Sequence, residues 1–276
     1  MSVPLPRSSR LEDVFTAARS QSRAALAAYL PAGYPTREQS LDAFHLLAAA
    51  ADVIEVGLPF SDPMLDGPAI QRANAQALRA GFRIEDVFTT VRELAASSTA
   101  ALLVMTYWQP VHRYGAARFA HRLASAGGAG VIIPDLPVEE ATDWLHAARD
   151  HGLDSVFVVA PNSTDQRLAR VCEAASGMIY APATAGVTGT QGPLHPKLHA
   201  FVERLRTLTP LPIGAGIGIS TPEQAASVAS FADAVIVGSA FIRALDAHPG
   251  SAGTTEVGLL AQRLARGLRL AVPSAA

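Results

Sequence analysis

Eight short apolar runs recur along this chain, with amphipathic helical stretches between them, and few folds accommodate that alternation. The runs are AALAAYL (24–30), DVIEVG (52–57), ALLVMTY (101–107), GVIIPDL (130–136), SVFVVAP (155–161), GMIYAP (177–182), LPIGAG (211–216) and DAVIVGS (233–239). In stretches such as TREQSLDAFHLLAAA, AARFAHRLASAGG, VEEATDWLHAARDHG and STDQRLARVCEAASG, apolar residues return at three- and four-residue steps. Several of these open at Ser or Thr and close near Gly, as capped helices do. Strands that are apolar throughout and not paired as hairpins belong in a parallel sheet covered on both faces. At 276 residues the expected architecture is α/β, a single-domain eight-stranded parallel (β/α) TIM barrel, with an open doubly wound sheet as the alternative. Residues 8–21, SSRLEDVFTAARSQ, read as an extra N-terminal helix expected to cap the barrel's N-terminal end. No proline- or serine-rich linker divides the chain, so residues 1–276 are expected to form one domain whose last residues, AVPSAA, fray.

Composition agrees with that architecture. Hydrophobic residues make up 49% of the chain and the mean hydropathy is +0.22, as a sheet apolar on both faces requires. The 22 Lys+Arg against 24 Asp+Glu leave a net charge of -2, and no basic run suggests nucleic acid. No apolar stretch approaches the roughly 18–20 residues of a membrane span. The opening MSVPLPRSSR lacks the apolar core of a secretory signal. Cys172 is the only cysteine, which rules out an intrachain disulfide or a thiolate cluster within one chain and points to a reducing cytoplasm.

The stretch VIEVGLPFSDPMLDGP (53–68) carries the strongest chemical signal. Alternation along a strand puts Val53, Glu55 and Gly57 on one face, Ile54 and Val56 on the other. A Glu pressed against the helix layer would be a costly unpaired charge. Pointing inward near the strand's C-terminal end, it lies at the barrel mouth, where burial raises a carboxyl pKa toward neutrality and suits it to proton transfer. The alternative is a structural Glu paired with a basic residue, but the other apolar runs contain none. Asp62 and Asp66 follow on the same loop. Asp62 reads either as a turn residue before Pro63 or as functional; Asp66 reads either as the N-cap of the helix beginning near Pro68 or as a second active carboxylate.

Three glycine-rich segments follow late strands: AGVTG (185–189), GAGIGIS (214–220) and VGSA (237–240). Loops after the seventh and eighth barrel strands commonly hold phosphate on backbone N–H groups and a helix N-terminus, and Ser239 adds a hydroxyl. GAGIG lacks the G-x-G-x-x-G spacing of a dinucleotide site. Residues 183–197, ATAGVTGTQGPLHPK, form the longest aperiodic loop and are expected to act as a lid. Of eight histidines only His195 and His199 stand four apart, with no carboxylate triad beside them, so no metal is expected. Cys172 reads as a helix-packing thiol.

The motifs YLPAGYP (29–35), IEVGLPFSDPMLDGPAIQ (54–71), IIPDLPVEE (132–140), AGVTG, GIGIS (216–220) and VIVGSA (235–240) occur in an order and spacing that closely resembles the tryptophan synthase alpha subunit family over nearly the whole chain. The resemblance implies an eight-fold barrel that cleaves indole-3-glycerol phosphate to indole and glyceraldehyde 3-phosphate, a carbon–carbon lyase without metal or organic cofactor. It implies Glu55 as the acid/base and Asp66 as the second catalytic carboxylate. It also implies Tyr180 beside the substrate, Thr188 in the lid, Gly189 near lid and phosphate, and Gly218, Gly238 and Ser239 on the phosphate. Asp62 is implied to face a beta subunit, which holds pyridoxal phosphate and turns indole into L-tryptophan in a cytoplasmic alpha2-beta2 complex. Leu65, Ala183 and Ile217 depart from the family's common Ala, Ser and aromatic residues. Two alternatives stand beside this: a stand-alone lyase with the same catalytic residues, or a mainly allosteric activating subunit with weak turnover, against which the presence of both Glu55 and Asp66 argues.

Overall fold

A computed structural model describes residues 10–182, 197–216 and 218–270. The eight apolar runs become eight strands: β1 Ala25–Pro31, β2 Val53–Gly57, β3 Ala101–Met105, β4 Gly130–Ile132, β5 Asp154–Val158, β6 Ile179–Pro182, β7 Ile213–Gly216 and β8 Ala234–Val237. They pair in parallel in sequence order, and β8 returns to β1 with Ala25 opposite Ala234, closing the barrel. This is the expected eight-stranded parallel barrel; the open sheet is excluded.

Twelve α-helices lie among the described residues: α1 Arg10–Ser20, α2 Arg37–Ala48, α3 Pro68–Arg79, α4 Ile84–Ser97, α5 Trp108–Tyr114, α6 Ala116–Ala126, α7 Thr142–Asp150, α8 Asp165–Ala174, α9 Leu198–Arg206, α10 Pro222–Ala229, α11 Ser239–Ala247 and α12 Ser251–Leu270. Local chemistry sets several of their starts. Thr36, Thr164 and Thr221 accept the backbone N–H of Gln39, Arg167 and Gln224, satisfying donors that the first turn leaves unpaired.

Two apolar layers follow from strand alternation. Ile54, Val56, Leu102 and Val104 face outward and pack with helix residues such as Phe44, Val91 and Phe119. Ala25, Ala27, Val53, Ala101, Leu103, Ile132 and Met178 fill the barrel interior. Leu11, Phe15 and Ala18 of α1 join that inner cluster against the first residues of several strands. The helix therefore plugs the N-terminal end, which leaves the opposite end of the barrel for chemistry. Cys172 is buried on α8.

Candidate active site

Glu55 sits in the middle of β2, with Tyr29 of β1 on one side and Leu103 of β3 on the other. It shares a face with Val53, which belongs to the interior cluster, so its side chain points into the barrel. The residue is 1% exposed, and neither carboxyl oxygen has a hydrogen-bond partner among the described residues. Removal from water lifts its pKa from the ordinary 4.5 to about 8. Near neutral pH it is therefore a protonated acid, with no ion pair to a described residue.

The loop after β2 separates the two aspartates. Asp62 is exposed and accepts a hydrogen bond from the Ser61 hydroxyl. Asp66 turns inward and is 3% exposed. It is not the helix cap: Gly67 occupies that position, and no side-chain cap bond forms at α3. The loop is held from inside. The Leu65 N–H donates to the Tyr107 hydroxyl at 3.0 Å, and Gln71 Nε2 donates to the Asp66 carbonyl at 2.8 Å. Burial raises the Asp66 carboxyl to about 7, against the stabilising pull of its hydrogen bond from Tyr107.

Three tyrosines surround the carboxyls. Tyr29, Tyr107 and Tyr180 are all buried, and each has its phenol pushed up first by burial and then by the negative charge of neighbouring carboxyls. Glycines at the strand ends make room for two of them. A Cβ on Gly57 would lie 2.7 Å from the Tyr29 hydroxyl, and one on Gly216 would lie 3.0 Å from the Tyr180 hydroxyl. Tyr107 is steadied in turn by Asp135, whose carboxylate accepts the N–H of Trp108 at 2.8 Å.

The late-strand glycines border the same mouth. Gly216 ends β7, and Gly218 adopts φ +81°, a conformation that a side chain would strain. Gly238 precedes α11, whose first residue is the buried Ser239. Arg243, one turn into α11, donates from Nη1 to Ser239 Oγ at 3.1 Å. The serine thus accepts from a cation and keeps its own O–H for a ligand at the helix N-terminus. Thr188, Gly189, Ala183, Ile217 and His195 lie outside the described residues, as does the loop expected over 183–197 apart from Lys197. His199 stacks on Phe231.

The sequence profile of the family described as tryptophan synthase alpha chain matches residues 15–267. The chain belongs to this family. The tryptophan synthase alpha chain of Streptomyces avermitilis is 51% identical over 265 residues, covering 95% of this chain and 96% of that one. That of Streptomyces coelicolor is 52% identical over 261 residues, covering 94% and 96%. A Mycobacterium tuberculosis tryptophan synthase structure superposes with a TM-score of 0.89 at 44% identity, covering 96% of this chain and 100% of that chain. The tryptophan synthase subunit alpha of Legionella pneumophila gives 0.86 at 32% identity, covering 95% and 98%.

In this family member the structure brings Glu55, Asp66 and Tyr180 together, since both carboxyls bear on the Tyr180 phenol. It sets Asp62 apart on the surface. Sequence reasoning missed Tyr29, Tyr107, Asp135 and Arg243. A signal existed for the first two. Ala25, Ala27 and Tyr29 alternate inward in the same phase as Val53 and Glu55, and Tyr107 continues the phase of Ala101 and Leu103. Asp135 and Arg243 act across loops and helix turns, and no strand period marks them.

Proposed function

We propose that Glu55 and Asp66 divide the proton traffic in this family's reaction, the retro-aldol cleavage of indole-3-glycerol phosphate to indole and glyceraldehyde 3-phosphate. The observation that carries the assignment is Glu55: a buried carboxyl without a hydrogen-bond partner among the described residues, protonated near neutrality, at the inward face of β2. Cleavage begins when C3 of the indole takes a proton, for which Glu55 is the donor. The ring nitrogen then bears positive charge, and an ionised Asp66 accepts its N–H and stabilises that charge. The Glu55 carboxylate, having lost its proton, takes one from the glycerol hydroxyl next to the bond that breaks. The carbon–carbon electrons return to the indole, the aldehyde forms, and Glu55 is protonated again. The indole ring is itself the electron sink, so the step draws on no imine-forming cofactor in this chain. Gly218, Gly238 and Ser239 hold the phosphate end, and Tyr180 lies against the substrate.

The loop that carries Asp66 also supports a partner. Met64 is 82% exposed and Leu65 is 47% exposed, beside the exposed Asp62. Large apolar side chains clustered at a loop tip mark an interaction surface, and we assign this one to a beta subunit that holds pyridoxal phosphate and converts indole to L-tryptophan. Met64→Asp is expected to weaken that association by about tenfold or more, because a charge would replace an apolar anchor. A calorimetric titration of the beta subunit measures it, and unchanged affinity would remove Met64 from the interface. No helix among the described residues is long and apolar enough to cross a membrane. We assign the chain to the cytoplasm on its single cysteine.

The test is direct. Purified chain is given indole-3-glycerol phosphate, and indole release is measured with and without a beta subunit. Slow release that rises sharply with the partner is expected. Rapid release unaffected by it would make this a stand-alone lyase, and no release in either arm would overturn the lyase assignment.

A further inference from the structure

Tyr29 has an inward-pointing hydroxyl that the chemistry above does not use. It lies directly across the strand pair from Glu55 and is 6% exposed. Its hydroxyl makes no hydrogen bond to any described residue, unlike that of Tyr107, which accepts from Leu65. A phenol O–H that no protein group holds is available to whatever enters the mouth.

The ring's position indicates what that is. At its base, a Cβ on Gly238 would stand 3.0 Å from Cδ1 and 3.3 Å from Cβ of Tyr29. At its tip, a Cβ on Gly57 would stand 2.7 Å from the hydroxyl. Tyr29 therefore stretches from the phosphate end at Gly238 to the end of β2, two residues beyond Glu55. A substrate with phosphate at one end and its reacting carbon at the other must lay its connecting three-carbon chain along this ring. That chain carries two hydroxyls.

We propose that Tyr29 is a substrate-binding residue whose phenol hydrogen-bonds the glycerol hydroxyl beside the scissile bond and turns that hydroxyl's proton toward Glu55. This rests on the lyase assignment above. The phenol transfers no proton; it donates to the hydroxyl oxygen and fixes the direction of the O–H. Substrate is selected for a hydroxylated chain, not merely for an indole and a phosphate.

Tyr29→Phe removes only the oxygen. It is expected to lower kcat/KM for indole-3-glycerol phosphate about tenfold, the value of one neutral hydrogen bond. The control ligand is the analogue in which both glycerol hydroxyls are replaced by hydrogen. Its dissociation constant, measured by calorimetry, is expected to change less than about twofold, since it offers nothing for the phenol to hold. Equal loss of affinity for both ligands would make Tyr29 a packing residue and overturn the proposal. So would a variant that cleaves within twofold of the parent. If the parent chain itself releases no indole, the lyase assignment falls; if the parent is active and only the contrast between ligands is missing, the Tyr29 proposal alone falls.

Discussion

Glu55→Gln is expected to lower indole release by about 10²–10⁴-fold, the range over which a positioned general acid/base acts, while leaving a folded barrel. Glutamine keeps the shape and cannot deliver or accept the proton. The fold survives because Glu55 makes no hydrogen bond or ion pair with a described residue whose loss would orphan that group. Relative to the parent, the variant should gain stability at high pH, and the sign follows from proton binding. The folded-state pKa of about 8 lies above the ordinary 4.5, so between those values the folded chain holds a proton that the unfolded chain has released. Parent stability therefore falls as pH rises through that window, by up to about 1.4 kcal/mol per pH unit, and levels off above it. Asp66 adds a decline of the same sign between its ordinary 3.8 and about 7. Thermal melts at about pH 5 and pH 8.5 read this: the gap between them should be smaller in Glu55→Gln than in the parent. Near-parental turnover would remove Glu55 from its role, and an unchanged gap would show that the carboxyl is not held protonated by burial. Keeping an unpaired acid in a core trades stability for activity.

The barrel was legible in the sequence because fully buried parallel strands read as apolar runs, and all eight runs became strands in chain order. Glu55 was legible for a related reason: a charged residue inside such a run is conspicuous, and period-two alternation decides its face. The same alternation would have found Tyr29 and Tyr107, but a tyrosine in an apolar strand does not stand out as a glutamate does. The aspartates were illegible for a different reason. D-G-P before a helix fits a capping residue well, and only the fold shows Gly67 in that place with Asp66 turned inward. The contact that holds the loop joins Leu65 to Tyr107 across 42 positions of sequence, and no local pattern reports a partner that distant. Helix α5, which follows Tyr107, was also unforeseen; its first N–H is held by Asp135 from the next strand's loop.

Asp66→Asn is expected to lower turnover by about 10²–10³-fold, the loss that follows removal of one preorganised group facing a developing charge. Asparagine keeps the volume and can still accept the indole N–H through its carbonyl, so what is lost is the negative charge opposite the nitrogen as it becomes cationic. That loss falls on the transition state, and kcat should drop far more than KM rises. The pH profile separates this role from a structural one. With Asp66 near 7 and Glu55 near 8, the working form has Asp66 ionised and Glu55 protonated. The parent kcat/KM should therefore be bell-shaped, rising as Asp66 loses its proton and falling as Glu55 loses its own. In Asp66→Asn the acidic limb should vanish while the alkaline limb stays. An acidic limb that persists would assign it to another group and leave Asp66 as a loop residue. Tyr107→Phe sharpens the point, since the Tyr107 hydrogen bond is what opposes the burial of Asp66: without it the acidic limb should move to higher pH, because the ionised carboxylate has lost a donor. A loop that merely loosened would lower the whole profile without moving that limb.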